Sequence, residues 1–90
     1  MAFEMTVMDS FYSDDLGLVV TGEITSGKVK AGDTIKVTSE EHQIECQVNL
    51  VSYPGLKIIE EANPESGYLG ISIKSLKRGD IMRGDVLCSI

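Results

Sequence analysis

Apolar and polar residues alternate along this chain in short runs that end at glycines, and this pattern constrains the fold more than any other feature. The clearest example is Val19–Val37, which reads V-V-T-G-E-I-T-S-G-K-V-K-A-G-D-T-I-K-V. A period of two residues predicts strands. Ser26-Gly27 and Ala31-Gly32-Asp33 predict turns, because glycine adopts positive φ without a steric cost. Gly22 falls inside a predicted strand and indicates a bend or a close approach of another backbone.

The same run contains the spacing of a phosphate-binding loop, G-x-x-x-x-G-K, at Gly22, Gly27 and Lys28. That motif requires Ser or Thr after the lysine to hold magnesium, whereas this chain has Val29. The motif must also open a helix whose amides face the phosphates, but the residues that follow include a β-branched run that favours a strand. We therefore interpret the glycines and the lysine as corner and turn residues.

Alternation over the whole chain predicts six strands, at Phe3–Asp9, Leu18–Thr25, Thr34–Thr38, Gln43–Val51, Tyr68–Lys74 and Val86–Ser89. Leu56–Ala62 is ambiguous between a strand and a single helical turn. Short strands with almost no helix predict a closed or nearly closed antiparallel barrel, because closure removes exposed edges; a sandwich is the alternative. The predicted interior residues are Phe3, Met5, Val7, Val20, Ile24, Ile35, Val37, Ile44, Cys46, Val48, Leu50, Leu69, Ile71, Ile73, Val86 and Cys88.

Length and composition predict one compact domain over residues 1–90, since the chain is 42% hydrophobic and has no linker-like tract. No window approaches a membrane span, and the first residues lack the features of a signal peptide, so a cytoplasmic location is expected. Two buried free thiols are expected at Cys46 and Cys88. With His42 as the single histidine, no metal site is expected. Cys46 and His42 are too far apart along one strand to form a nucleophile and base.

The charge balance argues against broad, non-specific binding to a phosphate backbone, because the net charge is -6 and the pI is about 4.6. Basic residues concentrate only near the C-terminus, in the candidate contact cluster Lys74, Lys77, Arg78 and Arg83. This cluster could contact RNA or an acidic protein surface, or it could be a solvated loop. Two R-G-D tripeptides, Arg78–Asp80 and Arg83–Asp85, are interpreted as turns rather than adhesion motifs.

Several motifs together resemble one known domain. They are D-S-F-Y at Asp9–Tyr12, G-L-V-V-T-G at Gly17–Gly22, G-K-V-K-A-G-D-T-I-K-V at Gly27–Val37, and the closing segments Gly70–Arg78 and Arg83–Leu87. This combination is similar to the second domain of the translational GTPases, such as elongation factor Tu and the selenocysteine-specific elongation factor. The resemblance implies a six-stranded antiparallel Greek-key barrel. It includes no counterpart of the GTPase domain, so neither GTP binding nor catalysis by this chain is expected, and no cofactor is implied.

The resemblance also implies candidate binding residues, because in elongation factor Tu this barrel helps to hold the aminoacylated end of tRNA. Asp9, Phe11 and Thr21 match that pocket, whereas Met8 replaces its first acidic residue and Tyr68 stands in place of an asparagine. Each residue has a structural alternative: Phe11 as an apolar plug of the barrel, Asp9 as a turn residue, Thr21 as an ordinary strand residue and Tyr68 as a packing residue.

Two functions follow from the resemblance and the charge. The first is a non-catalytic module associated with translation, which contacts tRNA, other RNA or a translation complex through Asp9, Phe11, Thr21 and Tyr68 or through the basic cluster. The second is a protein-interaction barrel that has kept the fold and lost the RNA pocket.

Overall fold

The protein is almost entirely built of β-strands. The structure, a computed structural model, describes residues 2–40, 42–54, 57–76 and 79–90. Within these ranges, no helix has the length and apolar character needed to cross a membrane. The strands are β1 Glu4–Thr6, β2 Asp9–Ser13, β3 Gly17–Ser26, β4 Val29–Lys30, β5 Thr34–Thr38, β6 Gln43–Gln47, β7 Leu50–Tyr53, β8 Lys57–Ile59, β9 Glu61–Ala62, β10 Tyr68–Ile73 and β11 Val86–Ser89, with a 3-10 turn at Pro64–Ser66.

All strand pairings are antiparallel, and the main sheet has the order β6-β5-β11-β1-β3-β10-β7-β8. β2 continues the line of β1 along β3, and β4 pairs with β9. The ambiguous segment before residue 63 forms β8 and β9 in its described part, so it is extended rather than helical; Leu56 lies outside the described residues.

The sheet curls into a barrel because the chain passes directly from β6, at one end of the sheet, to β7, near the other end. β6 and β7 are separated only by Val48 and Asn49. The Val48 amide donates to the Asp33 carbonyl at 2.9 Å, beside β5, and the Asn49 amide donates to the Ser72 carbonyl in β10 at 2.8 Å. β6 therefore pairs with β5 and β7 with β10, which joins the two ends of the sheet. The predicted six-stranded antiparallel Greek-key barrel is confirmed.

The hydrophobic core fills the inside of this barrel, and each principal strand contributes to it. Met5, Val20, Ile35, Ile71 and Leu87 are among the fully buried side chains. Burying one such side chain contributes roughly 1.5 to 3 kcal/mol. The alternation that predicted the strands is thus the consequence of one face of each strand being packed inside.

The predicted burial is wrong in β11. Leu87 is fully buried, whereas Val86 and Cys88 are only half-buried. Leu87 lies opposite Met5 on one side and Val37 on the other, both of them core residues. This strand begins with three consecutive apolar residues, so hydropathy alone could not decide whether Val86 and Cys88 or Leu87 faces the core. Cys88 is therefore a free but only partly buried thiol.

The predicted burial is also wrong at Leu50, which is half-buried, while Val51 is fully buried. Val48 is buried as predicted. The alternation shifts by one residue between β6 and β7, where the chain changes its pairing partner. A break in pairing reverses the face of every later residue in a strand. Ile44 is likewise half-buried, although it packs against the core.

The glycines of the phosphate-loop spacing have structural roles that agree with the turn interpretation. A Cβ at Gly22 would lie 2.5 Å from the Thr6 carbonyl oxygen, so the predicted close backbone approach is confirmed. Gly27 has φ of 67° and follows the last residue of β3. The residues after Lys28 form β4 rather than a helix. Lys28 lies 3.9 Å from Glu61, an exposed ion pair worth at most about 1 kcal/mol.

Candidate binding pocket on the outer face of the barrel

The candidate pocket lies on the outer face of the sheet, where four strands run side by side. Cross-strand pairing places four residues in one row: Asp9 of β2, Thr21 of β3, Gly70 of β10 and Ser52 of β7. Directly opposed residues project from the same face of a sheet. Val20, the neighbour of Thr21, is fully buried in the core. The row therefore faces away from the barrel interior.

All four residues predicted from the resemblance line a single cavity of about 330 Å³. They are Asp9, Phe11, Thr21 and Tyr68. Residues 9 and 11 come from β2, residue 21 from β3 and residue 68 from the start of β10. The fold thus brings together positions that are as much as 59 residues apart in sequence (68 minus 9).

The remaining lining is apolar or aromatic for the most part. Tyr53 joins Phe11 and Tyr68, so three of the chain's five aromatic residues (two Phe plus three Tyr) surround the cavity. Among the described residues that line it, Asp9 is the one charged side chain. The pocket therefore combines aromatic surface with a carboxylate and contains no cation from the described chain.

Phe11 is 53% exposed and lies opposite Val19, on the outer face. Its side chain does not plug the barrel interior, which removes one structural alternative for this residue. Tyr68 is 42% exposed. Both rings therefore offer aromatic surface to a ligand that enters the cavity.

Gly70 lies at the floor of the pocket, where the lack of a side chain leaves space in the cavity. A Cβ at this position would lie 3.1 Å from Val19 Cγ1 and 3.7 Å from Thr21 Cγ2. Any larger side chain there would project into the cavity. Gly70 was not predicted to line the pocket; the signal that could have indicated it is a glycine inside an alternating strand, which often marks a place of close approach.

A hydrogen bond joins the two polar walls of the pocket. The Thr21 Oγ1 lies 2.5 Å from the Tyr68 hydroxyl oxygen. Thr21 Oγ1 also lies 3.3 Å from the Asp9 carbonyl oxygen, to which it can donate. Either hydroxyl can be the donor in the shorter bond, so the Tyr68 hydroxyl can present a donor or an acceptor to a ligand.

Asp9 also presents acceptors. Its Oδ1 accepts a hydrogen bond from the Ser10 amide at 2.8 Å, and the side chain is exposed. Because the Asp9 carboxylate can only accept, a ligand group that hydrogen-bonds to it must carry an N–H or O–H donor.

A buried polar group supports the pocket from one side. Ser72 is fully buried; its hydroxyl donates to the Leu16 carbonyl oxygen and accepts from Asn49 Nδ2 at 3.3 Å. Leu16 is in the turn between β2 and β3 and lines the pocket. The hydroxyl of Ser72 therefore connects that turn to β10 by a hydrogen bond. No sequence motif indicated this role, since an isolated serine in a strand carries no signal of its own.

The basic cluster is described only in part, because Lys77 and Arg78 lie outside the described residues. Lys74 lines a depression with Asn49 and Ser75, whereas Arg83 lines a different one with His42 and other residues. Lys74 and Arg83 therefore do not share a pocket.

Arg83 has a contact of its own, since its Nε donates to the Met8 carbonyl oxygen at 2.8 Å. Gly84 has φ of 94°, and its amide donates to the Val7 carbonyl oxygen at 2.9 Å. The second R-G-D tripeptide is therefore a turn, as predicted.

Cys46 and His42 are in different surroundings. Burial, with a smaller contribution from the nearby charge of Glu45, raises the pKa of the Cys46 thiol above its ordinary value. A raised pKa lowers the fraction of reactive thiolate at neutral pH. His42 is exposed in the turn after β5, where Ser39 Oγ lies 3.1 Å from its Nδ1. Within the described ranges, no group of three or more His, Cys, Asp or Glu residues could hold a metal ion.

Comparison with known proteins identifies the type of domain. No family model matches the chain. A solved structure, translation elongation factor SelB from Methanococcus maripaludis in its apo form, matches 100% of this chain with a TM-score of 0.84 and 30% sequence identity. The chain is a β-barrel of the elongation factor Tu domain 2 type. It covers 18% of the SelB chain, so this domain 2-like barrel corresponds to a small part of that factor.

Proposed function

We propose that this domain 2-like barrel is a translation-associated binding module whose outer pocket holds the unpaired end of an RNA, most simply the aminoacylated end of a tRNA. Similarity to a translation factor domain supports an association with translation. The observation that carries the finer proposal is the convergence of Asp9, Phe11, Thr21 and Tyr68 around one cavity. These are the positions that the family resemblance assigns to the same role.

The size and lining of the pocket support an end group as the ligand. A volume of about 330 Å³ is near the lower limit of small-molecule pockets, which hold roughly 300 to 1,000 Å³. It suits one base or one aminoacyl group rather than a duplex. The exposed rings of Phe11 and Tyr68 can stack on a base, which contributes roughly 1 to 3 kcal/mol for each base.

Electrostatics limits how the RNA can bind. Asp9 is the charged residue of the described lining, and the chain carries a net charge of -6. Both repel phosphate, so the backbone of the RNA should stay outside the pocket while the terminal group enters. Few phosphate contacts imply a weak dependence of binding on salt. The carboxylate of Asp9 requires a donor, which a base amino group or an α-ammonium group provides.

The test is an NMR titration of isotope-labelled protein with a trinucleotide that carries an amide-linked amino acid at its 3′ end. Amide shifts should cluster at Phe11, Thr21 and Gly70. Phe11→Ala should weaken binding by about tenfold, which corresponds to 1.4 kcal/mol. Tyr12→Ala is the matched control, because Tyr12 is on the same strand but does not line the pocket. Absence of shifts at millimolar ligand would overturn the proposal.

A protein-interaction barrel is the second candidate, and the absence of a cation from the described pocket lining favours it. Affinity capture with the tagged domain separates the two functions. A defined protein partner that persists after ribonuclease treatment supports the second candidate. Recovery of material that ribonuclease removes contradicts it.

A further inference from the structure

We propose that the free side of β2 accepts an extended peptide rich in lysine or arginine, which adds to the barrel as an antiparallel strand. This interaction uses the backbone of β2 rather than the cavity beside it, although the side chains of Asp9 and Phe11 border both.

β2 is an edge strand. Its five residues pair with β3 along one side, and no other described segment pairs with the opposite side. Every residue of β2 is exposed or half-buried. Edge strands of natural proteins are usually protected by lysine, proline or a covering segment. β2 contains neither lysine nor proline.

The hydrogen bonds show which backbone groups face the free side. The Met8 amide donates to the Thr21 carbonyl oxygen at 2.8 Å, and the Asp9 carbonyl faces the Thr21 hydroxyl. The Ser10 amide points away from β3 and donates to the carboxylate of Asp9 instead. Because consecutive residues of an antiparallel strand point to opposite sides, the N–H and C=O of Tyr12 face the free side as well.

The side chains beside this edge offer apolar contact on both faces of an added strand. Phe11 is 53% exposed and projects from the outer face. Tyr12, 41% exposed, projects from the opposite face, because neighbouring residues of a strand alternate. In peptide recognition by strand addition, main-chain hydrogen bonds give affinity and such alternate side chains give selectivity.

Charge decides the kind of partner. Asp9 begins β2, and Asp14 and Asp15 follow its end; all three are exposed. Residues 8–15 contain no lysine or arginine. Arg83 contacts the Met8 carbonyl oxygen directly before β2, so a basic strand would be attracted chiefly towards Asp14 and Asp15 at the other end of the edge. A second copy of this chain would place the same carboxylates against one another, which disfavours self-pairing.

The test uses a short, capped peptide of alternating lysine and valine, with a peptide of alternating glutamate and valine as its control. The basic peptide should shift the amides of Ser10 and Tyr12 and slow hydrogen exchange at Tyr12 by at least about tenfold. The acidic peptide should leave them unchanged. Shifts elsewhere, or equal effects of the two peptides, would overturn the proposal.

Variants of Tyr12 separate the backbone from the side chain. Tyr12→Pro removes the amide on the free side and leaves the hydrogen bonds to β3 in place, as edge strands permit. It should weaken peptide binding by at least about tenfold, whereas Tyr12→Val should retain most of it. Native-like binding by Tyr12→Pro contradicts the proposal.

A second change does not depend on how well the proline variant folds. Replacing Asp14 and Asp15 by Asn should weaken the lysine peptide about threefold at low salt and less at high salt. An unchanged affinity at low salt counts against the proposal. Dimerisation of the free chain without peptide binding also contradicts it. The RNA mimic should still bind the Tyr12→Pro variant, in which peptide binding is weakened. Failure of the peptide proposal and failure of the RNA proposal can therefore be recognised separately.

Discussion

The hydroxyl groups of Thr21 and Tyr68 lie 2.5 Å apart and connect β3 to the first residue of β10 at the rim of the pocket. Tyr68 is one of two positions, with Met8, at which the chain departs from the pocket pattern that the resemblance implies. Its hydrogen bond to Thr21 holds the phenol ring in place as one wall of the pocket.

Tyr68→Phe removes this bond and keeps the ring. We expect the free energy of unfolding to fall by about 0.5 to 1.5 kcal/mol, the usual net value of one hydrogen bond. Urea denaturation measures the change. Thr21→Val and the double variant complete a cycle, in which the effects of the single changes should sum to more than that of the double change. Strict additivity would mean that the bond contributes nothing.

Gly70→Leu should close the pocket, since a side chain at this position meets Val19 at the floor. Binding of the aminoacyl-trinucleotide mimic should weaken by at least about tenfold. Gly70→Ala is the graded control and should have a smaller effect. Unchanged affinity of the Leu variant, with a native melting curve, would show that the ligand binds elsewhere.

Gly22→Ala should destabilise the barrel far more than Gly70→Ala. The Cβ at position 22 would approach the Thr6 carbonyl oxygen to 2.5 Å, a contact with backbone that cannot rotate away. Overpacking of this kind costs about 1 to 3 kcal/mol. Chemical denaturation of the two alanine variants side by side measures the difference. Equal stability of the two would contradict the close approach.

Stability should fall at alkaline pH because of Cys46. Burial raises the pKa of its thiol above its ordinary value in the folded state. The folded chain therefore retains a proton that the unfolded chain loses, so this contribution is complete below the unfolded pKa and declines as pH rises towards the folded pKa. Unfolding measured between neutral and alkaline pH should show a steeper decline for the native chain than for Cys46→Ala. Equal slopes for the native chain and Cys46→Ala would contradict this effect.

The sequence predicted the barrel and the four polar or aromatic residues of its candidate pocket for different reasons. The alternation of residues determined the strands directly. Asp9, Phe11, Thr21 and Tyr68 came from the motif resemblance, and the fold places them around one cavity. Their role in binding stays a prediction.

What the sequence could not predict depends on pairing between distant strands. Gly70 forms the pocket floor only because β10 lies opposite β3 in a register that sets it beside Thr21. Ser72 acquires its partners from the β2–β3 turn and from Asn49 in the same way. The inverted burial of Val86 and Leu87 likewise follows from the neighbours of β11, which local hydropathy does not contain.

The run from β6 to β7 has a consequence for the order of folding. β5 and β6 are neighbours along the chain and can form a hairpin early, as can β7 and β8, whereas the pairing of β7 with β10 and of β10 with β3 joins distant parts of the chain. Closing a long loop costs entropy before the distant contacts compensate for it. The outer pocket spans β2, β3, β10 and β7. It therefore requires that β10 has joined both β3 and β7, and a partly folded chain without these pairings would lack the pocket.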